Sequence, residues 1–436
     1  MTSPTTTAGP DAASVSSTLA ALADPATRPH PYPVLSALRD ASPAFDPETG
    51  IVVVGRRADC EVVLRNPTVS SDRTGSDIAK VPQQPNLMNL DVPDHTRLRR
   101  LAGKAFKPRI IHAWRPRIEA IVRELLTEIA TAGGGTVDVV SSFAYPLPVR
   151  VICEMLGVPK EDHPVFERWA TAIAYTVDPQ LVPGRRELDV GAEVEEARAG
   201  FIGYFSRLIA ERKQDPRDDI LSELIAAEES GDQLTERELI IMCILLLVAG
   251  HETTANLILN GIQALLRHPE QLALLRDDPS LAEAAVEEVL RYDAPAQMIT
   301  RIAREPFTVG GVEIEAGSPI LVLLAAANRD PEVHRDPEIF DITREDTGHL
   351  GFAAGAHFCL GSVLARLEGA IALRAFAESF VDPVLDTGTL HYRPHVAVRG
   401  PDRMDVAFAE IRLATAVAGD DTAADGTPGE AHTHGR

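Results

Sequence analysis

The stretch Phe352–Gly361, FAAGAHFCLG, sets one cysteine among glycines and alanines, just ahead of a run in which Leu360, Val363, Leu364, Leu367 and Ile371 recur at helical spacing. That run predicts an amphipathic helix over 360–379, with Cys359 at or beside its first turn. Free amide N–H groups and the positive end of the helix dipole favour thiolate over thiol there, and thiolate is the form a metal requires. Ala353, Ala354, Gly355, Ala356 and Gly361 remove bulk on either side, so that something large and flat can approach the backbone. A cysteine inside a protein is more often a small apolar filler. That plainer reading suits Cys60, Cys153 and Cys243, which stand singly in apolar surroundings with no CxxC pair and no metal-ligand spacing. It leaves the frame around Cys359 unexplained.

The chain around this loop has 436 residues, and no internal repeat divides it. Residues 1–17 and 415–436 are poor in large apolar side chains and are expected to be disordered tails, leaving 18–414 as a single domain. Helical patterns dominate the body: 33–39, 57–65, 116–132, 148–156, 195–213, 219–229, 235–267, 269–277, 281–291 and 360–379. Strand patterns are few and short, at 44–55, 307–326 and two late pieces, TLHYRP and MDVAFAE. The fold class is therefore mainly α, an α+β body with small sheets. The longest apolar run, Leu239–Gly250, is shorter than the roughly 20 residues of a membrane span, and four cysteines without a framework agree with a reducing compartment. A soluble, cytoplasmic, monomeric protein is expected. A formal net charge of −22 argues against nucleic acid or an anionic membrane as partner.

Two features of the long helix point to chemistry. Thr235 and Glu238 form a capping box, with Leu234 and Leu239 as the staple, and the pattern then continues to Arg267, roughly 50 Å at about 1.5 Å per residue. Inside this apolar helix, Gly250 costs about 1 kcal/mol relative to alanine, and Glu252 is expensive to bury without a partner. His251 and Glu252 begin like the zinc motif HExxH, but Ala255 occupies the second histidine position, which removes that reading. Elsewhere, Glu288 and Arg291 share a helix face, as do His95 and Arg99. Arg97, Arg100 and Lys104 lie on nearly the opposite face from His95 and Arg99, within a span 95–109 that has basic residues and no acidic ones. A solvated face accounts for these cations as well as a docking patch does. The functional reading is that Arg97, Arg100 and Lys104, with Arg366, receive a small acidic electron carrier such as a ferredoxin.

Phe352, Gly355, His357, Cys359 and Gly361 together spell F-x-x-G-x-H-x-C-x-G, which resembles the heme-thiolate loop of bacterial soluble cytochromes P-450. The family commonly has glycine where Ala353 stands. The resemblance extends over nearly the whole body and implies the cytochrome P-450 fold, with heme b between the long helix and the cysteine helix and with Cys359 as the axial iron ligand. The thiolate of that family favours O–O cleavage. By the same resemblance Glu252 and Thr253, in the A-G-x-E-T segment that includes Ala249 and Gly250, are the acid and alcohol that manage protons for O2. His95, Arg99, Arg301 and His357 would bind the heme propionates. Glu288, Arg291 and Arg344 would form the E-x-x-R structural triad behind the loop. Val248, Ala249, Gln297 and Ile299 would line the substrate pocket, together with segments 70–90, 176–189 and 399–404. The implied reaction is insertion of one oxygen atom from O2 into a small to medium organic substrate. No flavin module accompanies the body, so electrons are expected from a ferredoxin and an NAD(P)H-dependent ferredoxin reductase. A peroxide-driven enzyme, an oxidase of the same fold and a non-enzymatic gas sensor are the alternatives.

Overall fold

The computed structural model describes residues 12–73, 84–174, 191–229 and 231–413. Its centre is the helix Glu236–Arg267, opened by the expected capping box: Thr235 Oγ1 accepts from Glu238 N–H, and the Glu238 carboxylate accepts from Thr235 N–H at 2.8 Å. Helices Pro146–Met155, His163–Ala174, Gly191–Gln214, Ala282–Tyr292 and Ser362–Ser379 pack around it. Among the described residues it is the one helix long and apolar enough to cross a membrane. It spends that surface on the core instead, with Met242, Leu247, Leu257, Ile258 and Ile262 all buried. The uninterrupted apolar run Leu239–Gly250 understates this helix, because polar residues interrupt its apolar surface beyond Gly250.

A five-stranded sheet flanks the helical body, in the order Ala44–Asp46, Ile51–Val54, Pro319–Val322, Ile299–Ala303, Val69–Ser70. Ile320 pairs parallel with Val52 and antiparallel with Arg301. All four residues of Ile51–Val54 are buried, which is why that segment reads as a continuous β-branched run.

Three expectations change. The segment 1–17 is not tail throughout: helix Ala12–Ala21 buries Val15, Ser16 and Leu19, and Ser16 Oγ donates to Asp46. Val15, Leu19 and Leu22 have helical spacing, but the Ser/Thr/Ala composition around them hid it. The helix foreseen over 219–229 ends at Ala226 and turns into a short hairpin. Helix His163–Ala174 was not foreseen; Phe166 and Trp169 lock it against Phe201, Tyr204 and Phe205, a cluster that only the tertiary fold assembles. The expected tail 415–436 lies outside the described residues.

One core residue sets a pH dependence. Glu368, on the cysteine helix, is 2% exposed and its Oε2 has no hydrogen-bond partner. Burial pushes its carboxyl up to about 8. The unfolded chain ionises this group above about 4.5 while the folded chain keeps it protonated, so its contribution to stability falls as pH rises from about 4.5 to about 8. Glu368→Gln is expected to raise the unfolding free energy by up to about 4 kcal/mol at pH 7.5, measured by urea titration, with the gain gone near pH 4.5. An equal gain at both pH values would refute the protonation account.

Candidate active site

The cysteine loop is built from its backbone outward. Cys359 N–H donates to Phe352 O at 3.0 Å, closing the loop on itself. Gly355 has φ +72°, and a Cβ there would sit 2.2 Å from Leu64 O, so the loop rests directly on the end of helix Arg57–Arg65. Ala353, where the family commonly has glycine, also takes a left-handed φ of +56°. That conformation costs an alanine about 1–2 kcal/mol, the energetic meaning of this departure. The cysteine helix begins at Ser362, so Cys359 stands three residues ahead of it rather than in its first turn. Burial therefore dominates and raises the thiol, while the Gly361 N–H, Arg99 and Arg366 pull the other way.

Two histidines and two arginines converge beside this loop from separate elements. His95 and Arg99 come from helix Asp94–Ala105, Arg301 from the sheet and His357 from the loop. The His95 and His357 rings lie 4.1 Å apart. His95 Nε2 is buried without a partner, and the Arg301 guanidinium donates to Thr300 O at 2.8 Å. Burial, then Arg73, lower Arg301 to about 10; burial, then His95, Arg301 and Arg99, lower His357 to about 4. No described carboxylate forms an ion pair with Arg99 or Arg301. Cations gathered in this way without an ion-paired carboxylate fit a dianionic ligand, and two carboxylates on a large flat group would supply it. Arg73, which reaches Thr300 Oγ1 at 3.2 Å, belongs to the same region and was missed from sequence because it stands outside any motif.

On the long helix, Ala249 is exposed and Gly250 and Thr253 are half-exposed, although almost every neighbouring residue is buried. No atom lies within 4 Å of a Cβ built on Gly250. This open strip on a core helix matches the face a flat prosthetic group and substrate would use. Thr253 Oγ1 donates to Ala249 O at 2.6 Å, a back-bond of the kind that bends helices. Glu252 does not face Thr253. It is 5% exposed, and its Oε1 lies 3.2 Å from both Arg393 Nη1 and His395 Nδ1. Neither partner was foreseen, because a long-range ion pair leaves no local signature.

Behind the loop, Glu288 and Arg291 are both fully buried and paired at 2.7 and 2.8 Å. Arg291 also donates to Pro337 O at 2.8 Å and Ile339 O at 2.9 Å, and Glu288 Oε1 accepts from Asp341 N–H. Arg344 Nε lies 3.3 Å from Glu288, so the structure brings all three residues of the expected triad together.

The other sequence candidates are dispersed. Val248 is buried, Ile299 is half-buried at the start of its strand, and Gln297 turns its amide to Ala294 O at 2.7 Å. The pocket segments 74–83 and 176–189 lie outside the described residues. Two members of the expected docking patch are ion-paired within the chain. Arg97 pairs with Asp232 at 3.3 Å and with Glu238, tying its helix to the start of the long helix. Arg366 pairs with Glu287 at 2.6 Å and lies 4.5 Å over the Phe352 ring, bracing the loop. Sequence alone showed no acidic residue nearby because these partners come from elsewhere in the chain.

A cysteine loop on a helix end, a cationic cradle beside it and an open strip on the central helix define a heme-thiolate protein. The cytochrome P450 family model matches residues 45–384, and the chain belongs to that family. It is 41% identical over 398 residues to cytochrome P450 monooxygenase PikC of Streptomyces venezuelae, covering 88% of this chain and 92% of that protein. It is 42% identical to the 6-deoxyerythronolide B hydroxylase of Saccharopolyspora erythraea, over 74% of this chain and 77% of that one. The ligand-free crystal structure of Mycobacterium smegmatis CYP164A2 superposes with TM-score 0.83 at 44% identity, covering 90% of this chain and all of that one. The chain is accordingly a P450 monooxygenase, an oxidoreductase whose family uses heme b and takes O2 as co-substrate.

Proposed function

We propose that this P450 inserts one oxygen atom into a medium-sized, largely apolar secondary metabolite, by hydroxylation or epoxidation, in the cytoplasm. The observation that carries the reading is the open strip Ala249–Gly250–Thr253 on an otherwise buried helix, which offers a dry, apolar wall with a single hydroxyl for a substrate to lie against. Relatives bearing the names 6-deoxyerythronolide B hydroxylase and polyketide biosynthesis cytochrome P450 PksS support a polyketide-sized ligand. Heme held at this site supplies the oxygen chemistry. Cys359 would be its iron ligand, and His95, Arg99, Arg301 and His357 would hold its propionates. Val248, Ala249 and Ile299 shape the apolar wall, while Gln297 closes its edge. Thr253, whose hydroxyl proton is donated to Ala249 O, would accept a hydrogen bond on the oxygen side, and Glu252 would be the acid that supplies protons. Glu288, Arg291 and Arg344 keep the cysteine loop in place.

The test is turnover of a panel of macrolactones, steroids and fatty acids under 18O2. Macrolactone product carrying one 18O atom is the expected result; product formed with peroxide alone, and none with reductant, would overturn it. Electrons come from a ferredoxin and its NAD(P)H-dependent reductase, with Arg100 and Lys104 of the basic face as the docking cations. The double charge reversal R100E/K104E should raise the half-saturating ferredoxin concentration severalfold at low salt and little at high salt; an unchanged value at low salt would refute the docking role.

A further inference from the structure

A carboxylate buried in the core can serve Thr253 as a proton source only if it is itself resupplied with protons; the inference rests on that role for Glu252. Glu252 is held by two side chains from the segment after strand His391–Tyr392: Arg393 Nη1 and His395 Nδ1, each 3.2 Å from Oε1. Arg393 is pinned in turn, its Cζ 4.2 Å over the Tyr145 ring. A guanidinium alone would satisfy a buried carboxylate electrostatically but cannot exchange protons at ordinary pH. An imidazole can both take and release one near neutrality. Arg393 and His395 also line a notch shared with Arg28, Gln297, Tyr392 and Arg399. Its volume of about 20 Å³ suits one or two waters and is too small for an organic ligand.

We infer that His395 is the residue through which protons from this notch reach Glu252, with Arg393 holding the carboxylate between transfers. Protonated on both ring nitrogens, His395 passes the Nδ1 proton to Glu252 Oε1; a ring flip then turns the bare nitrogen to the notch, where it takes a proton from hydronium supplied by solvent, and the reverse flip restores the starting state. Glu252 then carries its proton toward Thr253 by rotation of its own side chain, and no electron moves. Among the described residues, Glu252 from the long helix contacts His395, and Tyr392, Arg393 and Arg399 from its own segment, with Arg28 from the segment ahead of Tyr32–Ala41, line the notch beside it.

Two measurements on the holoenzyme test this. The first is oxygen consumption driven by NADPH, a [2Fe–2S] ferredoxin and its reductase, at a ferredoxin level where the rate no longer rises. Glu252→Gln and His395→Phe should each lower it about tenfold or more, with a larger solvent deuterium effect. The second follows the His395 Nδ1–H proton by NMR in the reduced, carbon-monoxide-bound protein, where Glu252→Gln should move its resonance upfield as the charge-assisted hydrogen bond to Oε1 is lost. If Glu252→Gln slows oxygen consumption and His395→Phe does not, protons enter elsewhere and the inference is wrong. If Glu252→Gln itself changes nothing, the acid role of Glu252 is wrong and the route falls with it. A His395 Nδ1–H resonance indifferent to Glu252→Gln would also overturn the coupling.

Discussion

Cys359→Ala abolishes the red-shifted absorption band that reduced protein shows with carbon monoxide. No other cysteine can take over: Cys60, Cys153 and Cys243 are buried in the core, where desolvation raises their thiols well above the usual range. Cys359 alone combines partial exposure with groups that favour a thiolate, namely the Gly361 N–H, Arg99 and Arg366. The variant should still take up heme weakly, because the cradle of His95, Arg99, Arg301 and His357 is independent of the sulfur. Its carbon monoxide band should then fall at the shorter wavelength of a heme without thiolate. A normal band in Cys359→Ala would refute the ligand assignment, and Cys359→Ser, nearly isosteric, separates loss of ligation from loss of fold.

The second large effect is on stability. Arg291→Met should destabilise the protein by about 3–5 kcal/mol, the range for removing one partner of a buried ion pair. Arg291 and Glu288 are both 0% exposed, and the same guanidinium satisfies the carbonyls of Pro337 and Ile339. Its loss leaves Glu288 buried with only Arg344 at 3.3 Å and the Asp341 N–H, takes the Arg291 donor from Pro337 O, and leaves Ile339 O with Arg344 alone. Adding Glu288→Met to Arg291→Met should recover part of the loss, since no uncompensated charge then remains. Urea unfolding of the holoprotein, with heme release as a second probe, measures both. A cost under about 1 kcal/mol for Arg291→Met would show that the triad does not brace the loop.

The chemistry of the site was legible wherever it is local. The spacing of Phe352, Gly355, His357, Cys359 and Gly361 marks a loop in which glycine is required by a positive φ and by a backbone contact 2.2 Å from where a side chain would begin. The capping box at Thr235 and the shared face of Glu288 and Arg291 depend on residues three apart, within one turn of helix. Periodicity was misleading where composition diluted it, as in Ala12–Ala21, and silent where aromatic contacts between distant helices decide the packing, as around Phe166.

By itself, then, the sequence determined the mainly helical class, the capping box of the long helix and the glycine that the cysteine loop requires, because helix period, backbone dihedrals and capping act over a few residues. Only the tertiary structure decided how the charges are committed. Arg97 and Arg366, which read as an open basic face, are tied to Asp232, Glu238 and Glu287; Glu252, which read as a lone acid beside Thr253, is held by Arg393 and His395 from 141 and 143 residues away. Ion pairing depends on distance in space and on shared burial, and neither is written in the spacing of residues along the chain.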